Sequence, residues 1–119
     1  MTILIADDAA FMRMRLKKLL EESGYVVIEA ANGQEAVDRY REHHPHAVLM
    51  DITMPEKDGV AATREICQMD PAARVIMVSA LGQQAMIVAA IQAGAKDFVV
   101  KPYEPERIIQ ALQKWAKAQ

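Results

Sequence analysis

Three carboxylates, a hydroxyl and an ammonium in this chain stand directly behind short apolar runs. Asp7 and Asp8 follow Ile3-Leu4-Ile5-Ala6, and Asp51 follows Ala47-Val48-Leu49-Met50. Ser79 follows Val75-Ile76-Met77-Val78, and Lys101 follows Phe98-Val99-Val100. An acid inside an apolar strand is costly, but at the end where the strand meets water it is usable. Three carboxylates gathered in one cleft repel one another, and a shared proton or a bound cation relieves that. Magnesium takes a few carboxylates together with waters and a phosphate oxygen, and Asp7, Asp8 and Asp51 offer such a set. A metal, an ammonium and a hydroxyl around one carboxylate form a clamp for the charge of a transferring phosphoryl group. An aspartate can itself be the nucleophile and become an aspartyl phosphate, and Asp51 is the candidate here.

That chemistry needs the run ends to meet. The run Ile3 to Ala6 is apolar on both faces, as a central strand of a parallel sheet is. Behind Asp8, Met12, Leu16, Leu19 and Leu20 recur at helical spacing, with Arg13, Arg15, Lys17 and Lys18 expected on the opposite side. Ser23-Gly24 ends that helix, and Tyr25 to Ala30 reads as a second strand. Asn32 and Glu35 have the spacing of a capping box, and the helix behind them puts Ala36, Val37 and Tyr40 on one face. After the strand Ala47 to Asp51 a helix is expected from about Gly59 to Met69, broken by Asp70-Pro71. Arg74 to Val78 is a fourth strand, Gly82 to about Gln92 a helix closed by Gly94, and Asp97 to Val100 a fifth strand. The last helix starts near Pro105 and buries Ile108, Ile109 and Leu112. Alternating strands and helices predict an α/β fold, a doubly wound parallel sheet of five strands with right-handed crossovers. Ligands of such sheets bind at the carboxyl ends of the strands, at the switch point. In the strand order 2-1-3-4-5 the first and third strands are neighbours there, and Lys101 starts about 10 Å from the third strand. The pattern alone does not choose the order.

The totals narrow the classes. A chain of 119 residues, 52% hydrophobic and 25% charged, is long enough for one domain with a core. A net charge of -2 leaves no basic stripe for nucleic acid, so no nucleic-acid partner is expected. Cys67 is the single cysteine, which allows no internal disulfide and fits a reducing, cytoplasmic compartment. Met1-Thr2-Ile3-Leu4-Ile5 is too short for a signal peptide, and no apolar run is long enough to cross a bilayer, so no membrane partner is expected.

On these residues the chain resembles the receiver domains of two-component response regulators. The resemblance rests on Asp7-Asp8, Asp51-Ile52-Thr53-Met54-Pro55, Asp58-Gly59, Ser79-Ala80, Gly94-Ala95 and Lys101-Pro102. It covers the whole chain, residues 1–119, as a single receiver domain without an output domain. Within the family the chain is most similar to the stand-alone chemotaxis regulators found outside the enteric bacteria. Asp8-Ala9-Ala10-Phe11-Met12-Arg13 and Ser79-Ala80-Leu81-Gly82-Gln83-Gln84-Ala85-Met86 carry that similarity. The resemblance implies a flavodoxin-like three-layer sandwich of order 2-1-3-4-5. It implies that Asp51 accepts a phosphoryl group from a phosphohistidine on a chemotaxis histidine kinase. Mg²⁺ would be bound by Asp8, Asp51 and the backbone carbonyl of Thr53, and by Asp7 through water. Lys101 would pair with the phosphoryl group, Ser79 would swing toward it, and Phe98 would follow inward as the switch aromatic. Lys101-Pro102 would be a cis peptide. The implied product is a monomeric signalling switch, not an enzyme beyond its own phosphotransfer and autodephosphorylation. Its implied partners are the kinase, a flagellar motor switch protein and a phosphatase.

Phe98 departs from the enteric pattern, which has a tyrosine there, so no hydroxyl is available at that position to bond a partner. Thr53 and Leu81 stand where the family tunes its self-hydrolysis. A stand-alone phosphorelay intermediate is the alternative within the family. A phosphatase working through an aspartyl phosphate is the alternative from another class; it usually carries a second acid two residues after the nucleophile, where this chain has Thr53. A flavin-binding protein of the same architecture is disfavoured, because Asp7 and Asp8 would repel the flavin phosphate and no phosphate loop is visible there. His43, His44 and His46 are read as a solvated loop rather than a metal site, Cys67 as a small core residue, and Trp115 as packing. Between Arg74 and Lys96 the chain carries no charge, and the helix there is apolar nearly all round, from Met86 to Ile91. One face of it must cover the sheet, which leaves the other as an expected interaction surface.

Overall fold

The five apolar runs pair into one parallel sheet in the computed structural model, which describes residues 1–116. The strands are β1 (Thr2–Ala6), β2 (Val26–Ala30), β3 (Ala47–Met50), β4 (Val75–Ser79) and β5 (Asp97–Val100). The helices between and after them are α1 (Ala10–Glu22), α2 (Gly33–His43), α3 (Gly59–Met69), α4 (Gln84–Ala93) and α5 (Pro105–Trp115). The strand order is β2-β1-β3-β4-β5, so the expected order 2-1-3-4-5 is the one found. Ala6 pairs with Ala30 on one side and Met50 on the other, Met50 with Met77, and Ser79 with Val100. This register fixes the site, because residues one step beyond the strand ends must then be neighbours. Asp51 N–H donates to the Ala6 carbonyl at 2.9 Å, and Lys101 N–H donates to the Ser79 carbonyl at 2.9 Å.

Both faces of the sheet are buried, which is why the strands read as continuous apolar runs rather than alternating ones. One layer joins Leu4, Val48, Met50 and Met77 to Val37 and Tyr40 of α2, Ile66 of α3 and Ala90 of α4. The other joins Ile3, Ile5, Leu49 and Ile76 to Leu16 and Leu20 of α1 and Ile108 and Leu112 of α5. Each large side chain so buried stabilises the fold by about 1.5–3 kcal/mol.

Several local expectations shift. Asn32 caps α2 as expected, accepting from Glu35 N–H at 2.8 Å. The return bond goes one residue further back, however: Glu35 accepts from Ala31 N–H at 3.1 Å. Ser79 lies inside β4 rather than behind it, and α4 begins at Gln84 rather than Gly82. Gln83, the residue before α4, is extended at φ -64 and ψ 145 and gives no side-chain cap, so the helix starts late. Ile109 of α5 is half-buried while Ala111 is buried with Ile108 and Leu112. Arg13, expected on the solvent face of α1, turns back toward the β1–α1 loop. Cys67 is half-buried, packed against the first layer, and Trp115 packs against the second while its indole N–H donates to Asp97 at 3.3 Å. The three histidines do not converge. His46 Nδ1 accepts from Thr2 N–H at 3.0 Å, and His44 meets the Tyr40 ring edge-on.

Candidate functional site

The carboxyl end of the sheet gathers the acids. Oxygens of Asp7, Asp8 and Asp51 lie within 4.8 Å of one another. They are the one group of three or more metal-ligating side chains brought together among the described residues. Asp7 is buried at 3% exposure, Asp51 half-buried and Asp8 exposed, so the cluster opens to solvent on one side. All of its donors are hard carboxylate oxygens, with no histidine or thiolate among them, a set that suits Mg²⁺.

Each acid is held differently. Asp7 N–H makes a last sheet bond to the Ala30 carbonyl at 3.1 Å, and its carboxylate accepts from Ala9 N–H at 2.9 Å. That turn brings Asp8 to the surface and starts α1 with Ala9 as a cap that has no side-chain bond. Asp8 therefore does not cap the helix, which leaves its carboxylate for other work. Asp51 bonds the next amide, Ile52 N–H, at 2.8 Å. The loop behind it passes so close that a Cβ at Gly59 would lie 1.8 Å from the Asp51 carbonyl oxygen. Only glycine fits there, and Asp58 before it caps α3 by accepting from Ala61 N–H at 2.8 Å. A cavity of about 360 Å³ opens on this loop, lined by Ile52, Thr53, Met54, Leu81 and Met86 among others.

Lys101 reaches the acids from the far side of β4. Its ammonium donates to Asp7 at 2.9 Å and to Asp51 at 3.4 Å. The family resemblance pairs this lysine with a phosphoryl group on Asp51; of its two bonds here the shorter is to Asp7. Burial pulls the lysine's pKa down, but the two carboxylates outweigh it and hold it above the ordinary value. Asp51 is also shifted upward, which for an acid disfavours the charged form. Burial raises its pKa, Lys101 pulls it back, Asp7 adds to the rise, and the net is upward. One ammonium cannot offset three carboxylates, so a site of this form favours a further cation.

Ser79 is buried at 1% exposure, and its hydroxyl oxygen accepts from Leu81 N–H at 3.1 Å. Phe98, on the neighbouring β5, is half-buried and packs against the first core layer with Leu81 and Met86. Thr53 lies in the loop behind Asp51, exposed. The Lys101-Pro102 peptide is cis. Two contacts of one residue have no signal in the sequence. Arg13 donates to the Asp7 backbone carbonyl at 2.6 Å and to Glu29 of β2 at 3.2 Å.

Known proteins are similar to this chain in sequence and in fold. The family model "Response regulator receiver domain" matches residues 3–113. The chain is 58% identical over 113 residues to the chemotaxis protein CheY of Bacillus subtilis, with 94% of each chain covered. It is 56% identical over 116 residues to the CheY of Thermotoga maritima, with 97% of each covered. Among solved structures, the CheX–CheY–BeF3–Mg²⁺ complex from Borrelia burgdorferi matches with TM-score 0.90 at 38% identity, covering 95% of this chain and 87% of that one. The receiver domain of a sensor histidine kinase from Pseudomonas aeruginosa, solved with magnesium in its active-site cleft, matches with TM-score 0.90 at 29% identity, covering 98% of each. With its fold, its strand-end acids and these relatives agreeing, the chain belongs to the response regulator receiver domain family and is of the chemotaxis CheY type.

Proposed function

We propose that this chain is a phosphorylation-controlled binding module that carries a chemotaxis signal from a histidine kinase to the flagellar motor switch. The observation that carries the proposal is the cluster of Asp7, Asp8 and Asp51 at the sheet end with Lys101 bonded to two of them. A carboxylate oxygen of Asp51 attacks the phosphorus of a phosphohistidine. The P–N bond breaks, its electron pair returns to the imidazole, and an acyl phosphate forms on Asp51. Asp8, Asp51 and the Thr53 carbonyl would hold Mg²⁺ directly, and Asp7 through water. When bound, the ion would neutralise charge on the phosphoryl oxygens and offset the mutual repulsion of the three acids. Lys101 pairs with the phosphoryl group and gives up part of its bond to Asp7. Ser79 turns its hydroxyl from the Leu81 amide toward the phosphoryl oxygens, and Phe98 moves into the space released.

The output face fits α4 with β5 and α5. On α4 Ala90 and Ala93 are buried, while Val88 at 44% exposure and Ile91 at 48% face outward, with Val100 of β5 exposed nearby in sequence to the switch aromatic. Charged side chains are missing from the whole of α4, so docking there is apolar. The protein works in the cytoplasm as a monomer. Among the described residues no helix is long and apolar enough to cross a membrane. A phosphatase completes the cycle, in keeping with a similar CheY having been solved in complex with CheX.

A pull-down with and without a beryllofluoride phosphate mimic tests the proposal. The expected result is capture of a flagellar switch protein only with the mimic and Mg²⁺, lost in Ile91→Glu while the fold persists. Capture of a histidine phosphotransferase instead would make the chain a phosphorelay intermediate and overturn the motor assignment.

A further inference from the structure

We infer that Arg13 is a positioning residue for the acid site, acting through the backbone carbonyl of Asp7. The inference rests on the reading of Asp7, Asp8 and Asp51 as a cation site and adds what holds that site in shape.

The need for such a residue follows from how little else fixes the β1–α1 loop. The strand ends at Ala6, and α1 begins at Ala10 without a side-chain cap. Asp7 spends its carboxylate on Ala9 N–H and on Lys101. Asp8 has no side-chain hydrogen bond or ion pair among the described residues, so its place in the cluster is set by the backbone alone. The Asp7 carbonyl is the peptide group joined to Asp8, and it has left the sheet ladder. Arg13 donates to it at 2.6 Å. A guanidinium-to-carbonyl bond is charge-assisted and about twice as strong as a neutral one.

Arg13 is itself braced. Its Nε donates to Glu29 of β2 at 3.2 Å, and Lys17, one turn further along α1, sits 3.7 Å from the other oxygen of the same carboxylate. The Arg13 side chain is only 17% exposed. Its planar fork thus joins three pieces of the fold: the first turn of α1, the carboxylate of β2 and the loop that carries Asp7 and Asp8. A lysine has no such fork and could hold the carbonyl or Glu29, but not both in this plane.

The sign of the effect on metal binding separates positioning from simple charge. Arg13 is a cation beside a cation site. If it acted only through its charge, removing it would make Mg²⁺ bind more tightly. If it positions the loop, removing it makes Mg²⁺ bind more weakly, by the 10- to 100-fold that loss of an outer-shell partner costs. The experiment measures Mg²⁺ affinity by calorimetry for the wild-type chain, Arg13→Ala and Arg13→Lys. It also measures amide hydrogen exchange at Asp8 and Ala9 without metal. The expected result is about 10-fold or greater loss of affinity in Arg13→Ala, incomplete rescue by lysine, and faster exchange at those two amides while the core amides of β1 and β3 keep their protection. Unchanged or tighter Mg²⁺ binding in Arg13→Ala would overturn the inference, as would unchanged loop exchange. If the wild-type chain itself binds no Mg²⁺, the cation-site reading fails, and the metal-free exchange result still decides whether Arg13 holds the loop.

Discussion

The two ends of the sheet treat buried carboxylates in opposite ways. At the amino end every acid that leaves water meets partners. Asp97 accepts from Arg107, from Phe98 N–H and from the Trp115 indole. Asp70 accepts from the Tyr40 hydroxyl at 2.6 Å and from Ala72 N–H at 3.1 Å. At the carboxyl end the Lys101 ammonium serves Asp7 and Asp51, while Asp8 beside them has no ion pair among the described residues. The consequence shows in the pKa directions. Burial raises both Asp97 and Asp51, yet Arg107 and the hydrogen bonds win at Asp97, whose pKa ends lowered, while burial wins at Asp51, whose pKa ends raised. An acid fully answered by its neighbours belongs to the scaffold. An acid left short of positive charge, at the place where α/β sheets bind ligands, is held ready for something that arrives.

That contrast breaks most sharply at Asp51. Asp51→Asn should abolish labelling by a small phosphodonor with Mg²⁺, followed by mass spectrometry; undiminished labelling would remove the nucleophile. The same variant should melt higher than wild type in metal-free buffer at neutral pH. A raised folded pKa means that ionising Asp51 costs stability above that pKa, and the amide removes the cost.

Next in size is Asp8→Ala, which should weaken Mg²⁺ by more than about 100-fold in a calorimetric titration, beyond the loss expected for an outer partner. Equal affinity would mean that the exposed acid is no ligand. Gly59→Ala should follow. Its Cβ would overlap the Asp51 carbonyl, so about 3 kcal/mol of stability and much of the labelling should go together in urea melts and phosphodonor assays.

The smallest effect lies at the amino end. Arg107→Ala should cost about 0.5 kcal/mol at neutral pH, because the pair is partly exposed. The sign with pH is opposite to that at Asp51. With its folded pKa lowered, Asp97 contributes stability above the ordinary aspartate value of 3.8, and that is lost as pH falls through the lowered value. The difference between wild type and variant should therefore close in acid, and a difference that grows in acid would contradict the pairing.

Much of this was legible in the sequence because the two rules that matter are local. A strand buried on both faces is an apolar run, and the first polar residue behind it is where the strand meets water. Asp7, Asp8, Asp51 and Lys101 could be read off in that way, and Ser79 nearly so, one residue inside its strand. What escaped was everything set by the third dimension. Nothing in the sequence says that Lys101 bonds Asp7, the better buried acid, more closely than Asp51. Arg13 was placed among solvent-facing cations, since helical spacing cannot show that a carbonyl lies within reach behind it. Glu29 was one residue in a β-branched run, with nothing to mark its bond across to α1. On α4 the lack of charge was plain, but only the structure separates half-buried Ile87 from exposed Val88 and Ile91.

Lys101 leaves the end of β5, passes the end of β4 and finishes between acids that belong to β3 and β1. A single side chain thus links the end of β5 to acids that follow β3 and β1. Rearranging it needs only rotations about its own side-chain bonds and an exchange of ion-pair partners, with no change in the sheet hydrogen bonds. New charge at Asp51 would therefore reach β5 through one side chain, by a route separate from the backbone.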